Sequence, residues 1–321
     1  MPSQPFSRRS LVLGGGGFLG GHIVEALQAA GSPVRVFDRV PRRATAANIA
    51  ASTEWHEGDF GNRGDVAAAL DGCDVVFHLV ASTLPRASNE DPVHDLESNL
   101  LPTVRFLDLA LEHGIQKVVF ASSGGTVYGN PLVVPVPESH PTQPLCSYGI
   151  HKLAIEHYLH LYQSLHGLGY CVLRLANPFG ERQRSDASQG AVAVFLDLAL
   201  RGEEVTVWGD GSAVRDYIYV GDVASAFCRA ATYEAPAGVF NIGSGQGYSV
   251  NQLLTAIEDL LGKPVPRRYV EGRPFDVPVN VLDTTLAART LGWRPRVRFR
   301  DGLEKTLESL RRARGDRQPA E

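Results

Sequence analysis

Residues 11–30 read LVLGGGGFLGGHIVEALQAA. A short apolar run, Leu11 to Leu13, breaks into Gly14, Gly15, Gly16 and Gly17; Phe18, Leu19 and Gly20 then open an amphipathic segment that runs to about Ala30. That is a buried strand, a glycine turn and a helix. The glycines satisfy a G-x-G-x-x-G spacing through Gly15, Gly17 and Gly20, and a G-x-x-G-x-x-G spacing through Gly14, Gly17 and Gly20. Glycines let the backbone approach a pyrophosphate, which the N–H groups at the helix start can hold. The same residues also suit a plain tight turn, so the rest of the chain decides.

The alternation recurs downstream. Val34 to Phe37 is a second strand ending in Asp38, Trp55 to Asp59 a third, Asp74 to Val80 a fourth, and Tyr170 to Leu175 and Val205 to Trp208 are two more. Helical patterns lie between, notably Asp95 to His113 and Tyr148 to Leu165. This order predicts right-handed βαβ units, hence an α/β chain with a doubly wound parallel sheet. Ligands of such sheets sit beyond the strand carboxyl ends. Asp38, placed there ~20 residues past the glycines, would bond adenosine ribose hydroxyls and repel a 2′-phosphate, favouring NAD over NADP. Arg39, Arg42 and Arg43 argue the other way. Asp59 is placed for the adenine amino group, with Phe60 beside it, and the Leu79-Val80-Ala81-Ser82 stretch would admit a nicotinamide ribose. His78, inside an apolar run, reads as a core histidine. Asn99 lies beside the stripe Leu96, Leu100, Val104, Leu107 and Leu111, and reads as a buried amide that orients the hydroxyls or backbone of the Lys117 strand. Asp222 and Thr284 are expected to cap helices, and the tail after Arg312 to be disordered.

With 321 residues, 44% apolar and 21% charged, the chain can bury a sizeable core and is expected to form roughly two domains. A net charge of -4 gives no electrostatic reason for nucleic acid. Cys73, Cys146, Cys171 and Cys228 are scattered with no metal-ligand spacing, so no metal is expected and the thiols read as reduced, in a cytoplasmic protein. No apolar run reaches membrane-spanning length, and MPSQPFSRRS at the start has no signal core.

The chemistry concentrates in residues 117–152. KVVFASSGGTVYG ends a strand in small and hydroxyl residues. Pro131, Pro135, Pro137, Pro141 and Pro144 exclude a helix until SYGIHK, residues 147–152. Tyr148 and Lys152 then share a helix face. A free phenol has a pKa of about 10. An ammonium one turn away favours the phenolate, so Tyr148 can serve as a base near neutral pH. The pair is assigned a proton transfer beside a cofactor that moves hydride.

With SSGGTVYG, Tyr148 and Lys152, ANPFGERQ and VRDYIYVGDVA on the page, the chain resembles the extended short-chain dehydrogenase/reductases almost end to end. Within them it is most similar to the NAD-dependent nucleotide-sugar epimerases typified by UDP-glucose/UDP-galactose 4-epimerase. The resemblance implies a Rossmann-type NAD-binding domain over 1–178, with 216–245 returning to it. A smaller nucleotide-sugar domain would span 179–215 and 246–321. It implies a cofactor set of Gly14, Gly17, Phe18, Leu19, Gly20, Asp38, Arg39, Asp59, Phe60, Leu79, Val80, Ala81, Thr83, Asn99, Ser122, Tyr148, Lys152 and Pro178. Tyr148 would remove the sugar 4-hydroxyl proton while NAD takes hydride from C4. The transient 4-keto sugar would then turn and take it back on the other face. Lys152 would hold the nicotinamide ribose. Asn177, Arg215 and Arg273 would meet the diphosphate, Asp276 the uridine ribose, and Ser123, Arg184 and Asn280 the sugar side. The bland alternative for Arg215 and Arg273 is an ion pair with Asp216 or Asp276. Surface-polysaccharide or O-antigen biosynthesis is the expected setting. The apolar stripes of the 95–113 and 148–165 helices suggest a homodimer through a four-helix bundle.

Three departures narrow the expectation. Related dehydratases and decarboxylases carry acids where this chain has Gly125 and Thr126, which favours epimerisation. The family's hydroxyl position is Gly124, so Thr126, then Ser123, or a water must supply that group. Thr83 replaces a lysine of the hexose epimerases. Asn280 stands where a bulky tyrosine closes the pocket of hexose-only relatives, and Arg86, Arg182 and Arg184 could meet a carboxylate. A UDP-linked N-acetylated hexosamine or its uronate ranks first, plain glucose second. The alternatives are a nucleotide-sugar reductase, dehydrogenase or dehydratase, and a catalytically silent NAD-binding sensor.

Overall fold

A computed structural model describes residues 8–41, 49–185, 190–272 and 277–315. Thirteen strands are used below. They are β1 (Ser10–Leu13), β2 (Val34–Asp38), β3 (Glu54–Glu57), β4 (Val75–His78), β5 (Lys117–Ser123), β6 (Gly169–Leu175), β7 (Asn177–Phe179), β8 (Val205–Trp208), β9 (Val214–Tyr219), β10 (Ala237–Ile242), β11 (Gly247–Ser249), β12 (Arg267–Val270) and β13 (Val279–Asn280).

The large sheet has seven strands in the order β10-β6-β5-β4-β1-β2-β3, and every pairing is parallel. β1 and β4 are buried at every position and β5 nearly so, as expected of strands covered on both faces. Two apolar layers flank them. One holds Ile23, Val24 and Leu27 with Phe227 and Ala230; the other holds Phe106, Leu107, Ile155 and Leu159. The strand order reverses between β1 and β4, and a crevice opens there beyond their carboxyl ends. The glycine turn and the β4 loop meet at this point: a Cβ on Gly14 would lie 3.4 Å from the Val80 nitrogen.

A smaller sheet joins β11, β9 and β13, with β7 on β9, and β8 pairs β12. Its core, with Val192, Leu196, Leu253, Ile257, Leu303 and Leu307, comes from the Ala191–Arg201, Val250–Leu261 and Phe299–Ala313 helices. Among the described residues no helix is long and apolar enough to cross a membrane.

Several local expectations change. β3 ends at Glu57 and β4 at His78, so Asp59 and Leu79–Thr83 lie in loops. The 95–113 helix is interrupted: Pro92–Asp95 is α-helical, Leu96–Leu100 is a wide π turn, and the α-helix resumes over Leu101–Glu112. Asp222 does not cap its helix. Tyr219 holds that position, and Asp222 accepts the Arg296 and Val297 N–H groups, tying the C-terminal segment down. Thr284 occupies a cap position, but Asp283 accepts the Thr285 N–H. The last helix runs to Ala313, and residues 316–321 lie outside the described residues.

Candidate active site

The Ser147–His166 helix starts after the proline-rich bend and stops at Gly167, whose φ of 75° suits glycine. Cys146, at its N-cap, offers no side-chain cap. The first turn is capped from elsewhere in the chain. Asn89 Oδ1 accepts the Ser147 N–H and Ser88 Oγ the Tyr148 N–H, both at 2.9 Å. The short Pro85–Glu90 helix that follows β4 thus sets the height of Tyr148.

Lys152 is buried. Its Nζ donates to the Ala121 carbonyl at 3.0 Å and lies 4.7 Å from the Phe120 ring centroid and 5.6 Å from that of Tyr148. Burial lowers its pKa to about 8, against the pull of Asp95 and Glu156. Burial also pushes the Tyr148 phenol well above its ordinary value, and the charges of Cys146 and Asp95 add to that. The expectation that Lys152 favours the phenolate is therefore corrected for this geometry: desolvation is the larger effect.

Ser122 and Ser123 end β5, where successive side chains alternate faces. Ser122 is buried and its hydroxyl donates to Glu156, so that hydroxyl is engaged away from the crevice. Ser123 is half-buried. At Gly124 a Cβ would lie 2.6 Å from Leu282 Cδ1 and 3.1 Å from the Arg174 carbonyl, which explains the missing hydroxyl there. Thr126 packs on the catalytic helix: a Cβ at Gly149 would lie 3.2 Å from its Cβ. Its Oγ1 is buried with no hydrogen-bond partner. Asn280 is buried, donates to the Gly124 carbonyl at 3.1 Å, and keeps an unpartnered Oδ1. It faces Arg215 across the β13–β9 pairing. Arg215 does not rely on Asp216, whose buried carboxylate accepts from Ser244, Gly245 and Leu282. Asn177 donates to the Asp216 carbonyl at 3.1 Å, and Pro178 follows it in β7.

A buried polar network behind β5 was not anticipated from sequence. Glu156 pairs with Arg174, Arg174 donates to Tyr128 Oη, and Tyr128 donates to Asn241. The spacing of Tyr148, Lys152 and Glu156, four residues each, was the available signal.

At the opposite wall, Gly14 has φ 83°, and a Cβ on Gly20 would lie 2.1 Å from the Gly14 carbonyl, so only glycine lets helix and turn meet. The Phe18–Ala29 helix has Gly17 at its N-cap and no side-chain cap, leaving its first N–H groups for an anion. Asp38 accepts the Gly16 and Val40 N–H groups, each at 2.9 Å; it braces the turn and, as a carboxylate with further lone pairs, can still accept ribose hydroxyls. Arg39 and Asp59 are exposed, while Phe60 packs edge-on to His78 at 5.0 Å. His78 is a core residue bonded to Thr103, and burial lowers its pKa to about 3. Asn99 is corrected in its target. It accepts the Ser82 N–H and donates to Thr83, so it orders the β4 loop, not the β5 hydroxyls. A dinucleotide fits this wall: a bare helix N-terminus at the glycine turn, an acid at the end of β2, and an ordered loop at the end of β4.

Two proposed anion contacts are engaged elsewhere. Arg182 forms a two-pronged pair with Glu25 at 2.6 and 2.9 Å, and Arg86 pairs with Glu90 at 3.0 Å. Arg184 is exposed. Arg273 and Asp276 lie outside the described residues.

The family described as NAD dependent epimerase/dehydratase matches residues 10–243. A UDP-glucose 4-epimerase of Mycolicibacterium smegmatis is 36% identical over 94% of this chain and 98% of its own. The crystal structure of a Thermotoga maritima UDP-glucose 4-epimerase with UDP-glucose superposes with a TM-score of 0.90 at 36% identity, over 95% of this chain and 99% of its own. A Thermus thermophilus UDP-glucose 4-epimerase in complex with NAD gives 0.87 at 36% identity, over 94% and 99%. The chain belongs to the NAD-dependent epimerase/dehydratase family of the extended short-chain dehydrogenase/reductases: it is an epimerase-type enzyme whose cofactor is NAD.

Proposed function

We propose that the chain is a 4-epimerase of a UDP-linked hexose. The observation that supports this best is the set at the end of β5. Tyr148 and Lys152 share a helix face, and the unpartnered Thr126 hydroxyl packs on the same first turn. At positions 125 and 126, where a dehydration would need an acid, stand Gly125 and Thr126. The likeness to UDP-glucose 4-epimerases points the same way.

The Gly14–Gly20 turn would hold the NAD pyrophosphate, Asp38 the adenosine ribose and Lys152 the nicotinamide ribose; NAD held there would supply reversible hydride acceptance. Tyr148 takes the proton of the 4-hydroxyl and returns it after the ring has presented its other face. Thr126, with Ser123 next, shares that proton in this reading: the Thr126 hydroxyl packs on the first turn of the Tyr148 helix and has no partner, and Ser123 is half-buried at the end of β5. The Lys152 ammonium, one turn from Tyr148, would favour its phenolate against the burial that disfavours it. Asn177 and Arg215 would hold the nucleotide end on the smaller sheet; from the sequence, Arg273 and Asp276 are expected to serve the same ligand.

Asn280 keeps an N-acetylated hexosamine as the first choice, since its small side chain turns to Gly124 and leaves the pocket without a ring. The names of the relatives favour plain glucose as the second. Arg86 pairs with Glu90 and Arg182 with Glu25, which weighs against a uronate carboxylate at either. Exposed Leu101, Ile150, Leu161 and Leu165 on the two long helices support a homodimer. Proton NMR of UDP-glucose, UDP-N-acetylglucosamine and their uronates would show inversion at C4 without net NAD reduction. A 4-keto-6-deoxy product, or accumulated reduced NAD, would replace this reading.

A further inference from the structure

Asp95 is fully buried at the point where the α-helical Pro92–Asp95 turn passes into the π turn Leu96–Leu100. A wide turn of this kind is uncommon and recurs at functional sites. The Asp95 carboxylate collects donors from three stretches of chain. Oδ1 accepts from the Thr83 hydroxyl and from Asn99 Nδ2, and Oδ2 accepts from Ser147 Oγ at 2.7 Å and His151 Nδ1 at 2.9 Å. Thr83 belongs to the β4 loop, and Ser147 and His151 flank Tyr148 on its helix. His151 is fully buried, and its ring meets that of Tyr148 edge-on at 5.1 Å between centroids.

We propose that Asp95 and His151 are positioning residues for the proton transfer, a buried carboxylate–imidazole pair that locks the first turn of the Tyr148 helix to the loop beside the nicotinamide. The proposal rests on the epimerase reading for its reaction, but its geometry is independent of the sugar.

The protonation states agree with that role. Burial pushes the Asp95 carboxyl up, but the bonds from His151, Thr83 and Ser147 together hold it below the usual carboxylate range. Burial, then the Lys152 charge, lowers His151 to about 4. The imidazole is therefore neutral, its proton on Nδ1 and directed at Asp95. Nε2 is left as a buried acceptor with no partner. The groups around it are Tyr148 and Lys152 on its own helix, Asp95 opposite, and His78 from β4. Asn89 and Ser88 fix the backbone of the same turn from the same segment. Asp95 adds the side-chain contacts, so the turn cannot rotate about its caps.

Two substitutions separate the pin from the mere presence of a polar residue. His151→Asn keeps an amide N–H near the Nδ1 position, and His151→Gln moves it to the Nε2 end. For wild type, kcat is first measured on the UDP-sugar panel. In His151→Asn, kcat stays within about fivefold. In His151→Gln it falls on the order of 10²-fold, as expected for a misplaced base. In both, KM stays within about twofold, because positioning the base does not bind ground-state substrate. Equal kcat in the two variants, or a loss confined to KM, overturns the proposal. If both variants fail to fold, Asp95→Asn tests the same point: a fall in kcat of about tenfold or more supports it, and wild-type kcat overturns it. If wild type turns over no UDP-sugar, the epimerase reading fails, and hydrogen exchange of the 147–150 amides decides the positioning separately. Faster exchange in His151→Gln than in His151→Asn supports it, and equal exchange overturns it.

Discussion

Glu156 and Arg174 form a buried, two-pronged ion pair one helical turn beyond Lys152. Arg174 Nε lies 3.1 Å from both carboxylate oxygens and Nη2 lies 2.6 Å from Oε2. The pair ties the catalytic helix to β6, and the same carboxylate accepts the Ser122 hydroxyl from β5. Removing one partner strands the other charge. Glu156→Gln or Arg174→Met is expected to cost about 3–5 kcal/mol, read from the urea midpoint. Replacing both, as Glu156→Leu with Arg174→Met, should recover most of that. A double variant no more stable than the singles would show that the network, not the lone charge, carries the effect.

Tyr148→Phe removes the hydroxyl that exchanges the substrate proton. The ring stays in place on His151, so far-UV circular dichroism and NAD binding should not change. Turnover should fall by about 10²–10⁴-fold, the span for loss of a general acid–base group. C4 inversion followed by NMR is the direct measurement.

Thr126→Val should move activity and stability in opposite directions. The Thr126 hydroxyl is buried without a partner, and an unmade bond of that kind costs about 1–3 kcal/mol. Valine keeps the shape and removes the group, so the thermal midpoint should rise or hold. Turnover should drop about tenfold or more if the hydroxyl shares the proton. Full activity in Thr126→Val, with loss in Ser123→Ala, would transfer the role to Ser123.

Lys152 gives the activity an alkaline limit. Its folded value of about 8 lies below the ordinary 10.5. Between those values the unfolded chain binds a proton that the folded chain has released, so this group raises stability as pH rises through the window. The ammonium beside Tyr148 is lost over the same window. Thus kcat/KM should decline above pH ~8 while the urea midpoint does not fall on account of this residue. Lys152→Met should lack that limb at its lower residual rate. A limb that persists in the variant belongs to another group.

The parts of this site that sequence made legible are those carried by short spacings. Gly14 to Gly20 and Tyr148 to Lys152 each lie within a single turn or helix face, where period alone fixes the geometry. Buried strands such as Val75–His78 were readable because both faces are apolar. Asp95 and His151 are 56 residues apart, and Asn89 caps Ser147 across 58. No local period reports such pairs. The π turn at Leu96–Leu100 was hidden because it shifts the helical register inside a stripe that still looks continuous. The pleat turns the Ser122 hydroxyl toward Glu156, a partner 34 residues away that no local spacing reports.

Gly124 is where restoring the familiar serine should do harm. Its N–H donates to the Leu175 carbonyl at 2.8 Å and its carbonyl accepts from Asn280 at 3.1 Å, so the backbone is fixed on both sides. A Cβ there would point at Leu282, a fully buried side chain, with the Arg174 carbonyl 3.1 Å away. Gly124→Ser should therefore cost about 1–3 kcal/mol by overpacking and should not raise kcat, because its hydroxyl faces Leu282. Leu282→Ala alone should cost about 2–5 kcal/mol. The two together should cost at least ~1 kcal/mol less than their sum, since the serine occupies part of the space that leucine leaves. Urea unfolding of the four proteins measures that coupling. Additive costs, or a Gly124→Ser enzyme faster than wild type, would mean that the loop moves to place position 124 in the crevice.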